Sequence, residues 1–209
     1  MAIDLVPLSA LLNRYHEEEI RRNFSFFKSI NKDVEHFIHE TCIQFEKIGL
    51  SRTTLVYVSF KGRQALAGYF AISSKSISIS KKNWNKMSNN LHRKLMPMGY
   101  KDEKEDYLVS SILLGQLGLN FQYHDQKSKI LTGDELLSLA YGEVVRARDV
   151  VGGVVVYVEV DNEPRLRDFY TRNGFSQVLL KMASDGGKVV PYETPNRQHL
   201  YIKKIKDID

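Results

Sequence analysis

A mixed α/β domain is what this sequence predicts, and three observations carry the prediction. Apolar residues recur at helical spacing over residues 8–49, then switch to a period of two over 55–72. From residue 107 onward strand-like and helix-like segments alternate to the C-terminus. At 209 residues, 43% of them hydrophobic and 26% charged, the chain has the length of one domain, or of one domain with an added segment. It is long enough to bury a core without disulfide or metal staples. Disordered and collagen-like classes are excluded by that composition, and the absence of internal repeats argues against a solenoid. No apolar run reaches the roughly 20 residues that a membrane helix needs. Asp4 stands where a signal peptide would carry positive charge. The single cysteine, Cys42, cannot form an internal disulfide, which predicts a cytoplasmic protein. Thirty Lys and Arg against 25 Asp and Glu give a net charge of +5. This balance leans toward a polyanionic ligand without the density of a dedicated nucleic-acid binder.

Taken in order, residues 1–24 are expected as an N-terminal helical extension. Val34, Phe37, Ile38, Cys42, Phe45 and Ile48 then share one face of a helix that Asn31 or Asp33 caps and Gly49 ends. His36 and His39 lie three apart there, but no third ligand stands at a metal-site spacing, so a solvated face is preferred and no metal is expected. Residues 55–60 and 65–72 read as an antiparallel hairpin around a turn at 61–64. Residues 76–80 extend it or form a third strand. A basic insert follows at 81–106, holding the only tryptophan, Trp84, and offering an acceptor-side lid or a solvated face. Residues 107–121 read as one long buried strand. Its Gly115 and Gly118 suggest a bulge, or a place where something approaches the backbone closely. A helix over about 132–148 opens on Thr132-x-x-Glu135, the spacing of a capping box. Residues 151–160 form an interior strand, Pro164 starts a short helix, Gly174 stops it, and 175–182 and 199–205 close the sheet.

The segment from Val154 to Phe175 ends in Phe169-Tyr170-Thr171-Arg172-Asn173-Gly174-Phe175. It resembles the F-Y-x-x-x-G-F element of the GNAT superfamily of acetyl-CoA-dependent N-acyltransferases, complete at each fixed position. Upstream, residues 112–120, a loop and Thr132-Gly133 resemble that family's cofactor strand, phosphate loop and helix. Of the usual Q/R-x-x-G-x-G/A loop only the last glycine survives, with Leu131 at the first glycine and Ser128 at the Gln/Arg position. The loop also runs about four residues longer. The hairpin with Gly68-Tyr69-Phe70 is a third likeness, and the whole is similar to the branch that holds tRNA-acetylating toxins and related prophage acetyltransferases, over about residues 25–205.

The resemblance implies a single GNAT-like α/β (α+β) domain over residues 1–209, a mixed twisted sheet with helices on both faces. It implies acetyl-CoA as co-substrate, with direct transfer of the acetyl group to an amine. Leu117, Gly118 and Leu119 would pair with the pantetheine amides, and one N–H there would polarise the thioester carbonyl. The loop through Lys127, Ser128, Lys129, Leu131, Thr132 and Gly133 would take the phosphates, helped by helix-terminal N–H groups and lysine charge. Asn162 lies eight residues before Tyr170 and Glu163 seven, and either faces the cofactor. Tyr170 would protonate the leaving thiolate, its phenol staying protonated at neutral pH; packing the helix onto the sheet is the alternative role. Glu159, Asp161, Glu163 or a water chain would take the proton of the amine. The acceptor is an amine on a small molecule, a protein or an aminoacyl-tRNA. No membrane partner is expected, and a homodimer is compatible with the sequence. The rival reading is a GNAT fold without catalysis that binds a protein or a nucleic acid.

Overall fold

The computed structural model describes residues 2–60, 63–95, 99–123, 130–182 and 187–208. The chain divides into two compact units, Met1–Ser73 with Leu114–Glu143, and Ser74–Leu113 with Val144–Asp209. Each unit is assembled from two separated stretches of sequence, so neither is a contiguous segment.

In the first unit, β1 (Ala2–Pro7) pairs antiparallel with β2 (Arg52–Phe60), from Ala2↔Ser59 to Pro7↔Thr54. This departs from the expected helical start. Pro7, with its φ near −60° and no N–H to give, closes the strand and leads directly into α1 (Leu8–Leu12). β2 pairs antiparallel with β3 (Arg63–Ser74), with a register shift between Val56 and Tyr57. The next strand in that order is β7 (Ser111–Leu119). After α1 come α2 (Glu17–Phe24) and α3 (Lys32–His36), then a π turn at Phe37–Thr41 and α4 (Cys42–Lys47). Asn31 caps α3, its Oδ1 accepting from the N–H groups of Asp33 and Val34. The helices bury Leu8, Ile20, Phe24, Phe37 and Ile38 in one cluster with Leu55, Leu66 and Tyr69 of the sheet. The apolar face stops before Ile48, which is 58% exposed instead of buried.

The second unit opens on β4 (Ile77–Ile79), so residues 76–80 form a third strand and not an extension of the hairpin. Then come α5 (Lys81–Trp84), α6 (Asn89–Leu95), β5 (Gly99–Lys101) and β6 (Tyr107–Val109), and a separate antiparallel sheet in the order β4-β6-β5. The basic segment is therefore part of a packed substructure. Trp84 is buried, stacked on Tyr107 at 3.9 Å between ring centroids and tilted over His92 at 4.5 Å. It is a core residue and not a lid.

The expected long strand over 107–121 is broken at Ser110. Ser111 accounts for the break: its Oγ accepts from the Ile77 N–H and donates toward the carbonyls of Lys75 and Val109. The Ser110 carbonyl meanwhile accepts from Val154. One run of apolar residues thus serves two sheets. β7 pairs parallel with β8 (Val155–Val160), and β8 pairs antiparallel with β12 (His199–Lys204). The expected strand over 175–182 is likewise divided into β9 (Ser176–Gln177), against β12, and β10 (Leu179–Met182), against β11 (Lys188–Pro191). α7 (Gly133–Val151) and α8 (Pro164–Arg172) flank β8 in the chain. Pro164 stands in the first turn of α8, and Gly174 leaves the helix at φ +83°, a backbone conformation that side chains rarely adopt. Among the described residues no helix is long and apolar enough to cross a membrane.

Asn120 ties the end of β7 to its surroundings. Its Oδ1 accepts from the N–H groups of Lys28 and Gln122, and its Nδ2 donates to the Leu66 carbonyl. Its own N–H donates to the Ala67 carbonyl. Replacing Asn120 by alanine strips three backbone groups of their partners at a buried position. Asn120→Ala is expected to lower unfolding free energy by about 3 kcal/mol in urea titrations, since each unpaired buried group costs about 1–3 kcal/mol before relaxation. A loss under about 0.5 kcal/mol would show that the contacts are dispensable.

Candidate functional site

The cofactor-strand and phosphate-loop candidates lie along β7 and at the start of α7. The parallel ladder with β8 holds three pairs, Ser111↔Val155, Ile112↔Val156 and Leu113↔Tyr157. Both strands run on past it, β7 to Leu119 and β8 to Val160. Leu117 and Leu119 are half-buried and Gly118 is buried.

Gly118 is a point of close approach, as its place in the strand predicts, but the approaching groups are the protein's own. A Cβ there would lie 2.4 Å from Cγ1 of Val34 and 2.7 Å from Cε1 of Tyr69. Tyr69 is fully buried and donates its hydroxyl to the Val34 carbonyl at 2.6 Å. Burial pushes its phenol well above the ordinary tyrosine range. These contacts occupy the space over one face of the strand. The N–H and C=O groups lie in the plane of the strand, perpendicular to that direction: those of Gly118 and Asn120 face β3, and those of Leu117 and Leu119 face the opposite edge.

The phosphate-loop candidates Lys127, Ser128 and Lys129, with His124, lie outside the described residues. On the far side of the loop Leu131 is buried at 1% exposure. Thr132 and Glu135 form the capping box read from the sequence. The Glu135 N–H donates to Thr132 Oγ1 at 3.2 Å, while Glu135 Oε2 accepts from the Thr132 N–H and hydroxyl at 2.7 and 2.8 Å. These bonds hold the Glu135 carboxyl below its usual range. Two of the helix-terminal N–H groups are therefore already spoken for, and a carboxylate sits at the positive end of the α7 dipole. A phosphate here would rely on the remaining N–H groups and on the loop before them.

The candidate acid and bases lie in the second unit. Tyr170 lies on α8 with its ring edge-on to Phe169 at 5.0 Å and Phe175 at 5.3 Å, and 6.3 Å from Tyr201. Burial raises its phenol well above the ordinary tyrosine range. Its hydroxyl has no hydrogen-bond partner among the described residues. The Phe175 N–H donates to the Tyr170 carbonyl, fixing the turn after the helix.

Glu159 is half-buried on β8 opposite Leu200, and its charge adds to burial in raising the phenols of Tyr157 and Tyr192. Asp161 accepts from Gln198 at 2.9 Å. Glu163 begins α8 and pairs with Arg165 at 3.4 Å, and Asn162 beside it is exposed. Of the carboxylates considered as bases, Glu159 is the one for which no ion pair or side-chain hydrogen bond is found among the described residues.

Leu117–Leu119 and Leu131–Gly133 thus fall in one unit, and Glu159, Asn162, Glu163 and Tyr170 in the other. Cys42 belongs to neither set. It is buried on α4, donates to the Ile38 carbonyl, and burial pushes its thiol up to about 12. Among the described residues no three His, Cys, Asp or Glu side chains gather as a metal site.

No protein-family model matches this chain, and no curated protein matches it. Solved structures do. A tyrosine-to-phenylalanine mutant of KacT matches with a TM-score of 0.63 at 16% identity, over 100% of this chain and 98% of that one. AtaT complexed with acetyl-methionyl-tRNAfMet matches at 0.61 and 16%, over 99% and 97%. AtaTR bound with AcCoA matches at 0.56 and 17%, over 99% and 95%.

The fold is GNAT-like. At such identities the likeness speaks for the fold alone, and it covers the full length of the chain. Two residues that organise the site, Tyr69 and Asn120, stand inside segments the sequence singles out, but nothing in the sequence shows what they bond. The signal for Asn120 is a polar residue closing an apolar strand; for Tyr69 it is a tyrosine after Gly68 in a strand expected to be buried.

The capping box makes the start of α7 sensitive to pH. The Glu135 carboxyl is held low in the folded state, so its contribution is present above the unfolded carboxyl value near 4.5 and lost as pH falls through the folded value. Thr132→Ala is expected to cost about 1 kcal/mol at neutral pH, the usual worth of an N-cap. In this variant the acid-side loss should shrink when stability is measured against pH. An unchanged acid limb would remove the capping box as its source.

Proposed function

We propose that this protein is an acetyl-CoA-dependent N-acetyltransferase that acts on a primary amine. The observation that carries the reading is Tyr170: a half-buried phenol on the F-Y-x-x-x-G-F helix, protonated at neutral pH and without a hydrogen-bond partner among the described residues. The GNAT-like fold and the acetyl-CoA bound to AtaTR support it.

The co-substrate supplies an acetyl group activated as a thioester. The residues of this chain then have distinct tasks. While the main-chain groups of Gly118 face β3, those of Leu117 and Leu119, beyond the end of the ladder, hold the pantetheine arm as a strand edge holds an added strand. One of their N–H groups stabilises the charge that develops on the thioester oxygen. The start of α7 and the loop with Lys127 and Lys129 hold the phosphates, and Asn162 or Glu163 faces the co-substrate. Glu159 takes the proton of the attacking amine. Tyr170 gives its proton to the departing sulfur as the C–N bond forms and the C–S bond breaks.

AtaT complexed with acetyl-methionyl-tRNAfMet supports an aminoacyl-tRNA as the acceptor, and the net charge of +5 is favourable for a polyanion. Binding of such an acceptor should weaken steeply with salt, and a shallow dependence would point to a small amine.

Isothermal titration should show saturable binding of acetyl-CoA. Tyr170→Phe should lower kcat by about 100-fold or more, the low end of general acid catalysis, with little change in acetyl-CoA affinity. An unchanged rate would remove Tyr170 as the acid. No binding of acetyl-CoA would favour a protein that keeps the fold without the chemistry.

A further inference from the structure

A pocket of about 310 Å³ lies in the first unit, between α1, α2 and the edge of the sheet. This is the low end of the range for small-molecule sites. Its apolar wall comes from Val6, Leu11, Ile20 and Phe24. Tyr15 and Tyr57 add two phenol rings, and Arg14 lies over the Tyr15 ring at 5.8 Å. Tyr57 is half-buried, and burial, then the neighbouring Tyr15, raises its phenol.

The polar lining has a single character. Glu19 brings a carboxylate. Asn23 gives its Nδ2 to the Glu19 carbonyl at 3.2 Å, and Gln64 gives its Nε2 to Asp4 Oδ2 at 3.0 Å. Each amide nitrogen thus spends one of its two N–H groups within the protein, and each amide oxygen is left as an acceptor. Among the described residues no Lys, Arg or His lines the pocket. Hydrogen-bond acceptors, one negative charge and aromatic faces above an apolar floor suit a ligand with a small apolar body and a positively charged, donor-rich head.

We propose that this pocket binds a small aryl- or alkylammonium ion. The apolar body rests against Leu11, Ile20 and Phe24. The ammonium head meets Glu19 and the amide oxygens of Asn23 and Gln64 beside the phenols. The site shares no lining residue with β7 or α7, and it does not require acyl transfer.

The test is a nuclear magnetic resonance titration of the ¹⁵N-labelled full chain with phenethylammonium chloride, in the absence of acetyl-CoA. The amides of Ile20, Tyr57 and Gln64 should shift together, with a Kd on the order of 1 mM for a ligand of this size. The neutral analogue 2-phenylethanol should bind several-fold more weakly, and 3-phenylpropionate should leave these amides unmoved. Glu19→Gln should weaken phenethylammonium binding by roughly 3- to 5-fold, as expected for a partly solvated ion pair. Leu11→Trp should fill the pocket and abolish the shifts while the remaining spectrum stays dispersed. If that variant fails to fold, Glu19→Gln and the anionic analogue decide the matter. Absent shifts at about 10 mM ligand, where a millimolar site would be nearly saturated, would overturn the proposal. So would equal shifts with the anion, or binding that ignores Glu19→Gln. Because acetyl-CoA is absent, failure here leaves the transferase reading untouched, and failure of that reading leaves this one untouched.

Discussion

A backbone amide that leaves a ladder must find another partner, and on this constraint the account of β7 rests. The strand pairs with β8 through three residues and then continues to Leu119. Its side chains are settled: Gly118 receives Val34 and Tyr69, and Asn120 binds the chain end to Leu66, Lys28 and Gln122. A segment so firmly held on one face keeps its main-chain groups at a fixed position. In the proposed function these groups receive the pantetheine arm, and their fixed position makes the binding preorganised.

The contact at Gly118 also links helix to strand. Tyr69 reaches the Val34 carbonyl at the end of α3, directly before the π turn at Phe37–Thr41. The Val34 carbonyl accepts both the Phe37 N–H and the Tyr69 phenol, whose ring also stacks on Phe37 at 6.0 Å and meets Phe27 edge-on at 5.3 Å. One tyrosine therefore fixes the helical layer of the first unit against the strand that carries the proposed amides.

Much of this architecture is legible in the sequence where a single residue type enforces a local geometry. Asn31, the Thr132–Glu135 box, Pro164 and Gly174 mark helix ends because capping, a fixed φ and a left-handed φ depend on the residue itself and its near neighbours. The parallel pairing of β7 with β8 follows from strand, helix and strand in succession. What the sequence hides depends on distant partners. β1 is a strand because β2 offers an edge, although six residues closed by Pro7 carry little periodic signal. Residues 107–119 read as one strand because every position is suitable for burial, and only the bonds of Ser111 to Lys75 and Ile77 divide them between two sheets. Trp84 reads as part of a basic patch, since the lysines around it are visible and Tyr107 beneath it is not. The same holds for the site. The Tyr170 motif is contiguous and readable, whereas the packing of Tyr69 on Gly118 joins residues 49 apart in sequence.

Hydrogen exchange at individual amides tests the central claim most directly. Acetyl-CoA should slow exchange at Leu117 and Leu119 relative to the free protein, while Gly118, whose N–H faces β3, changes little. Exchange at Leu117 and Leu119 that stays the same with saturating acetyl-CoA would contradict the account, because the strand would then hold the co-substrate by something other than its main chain.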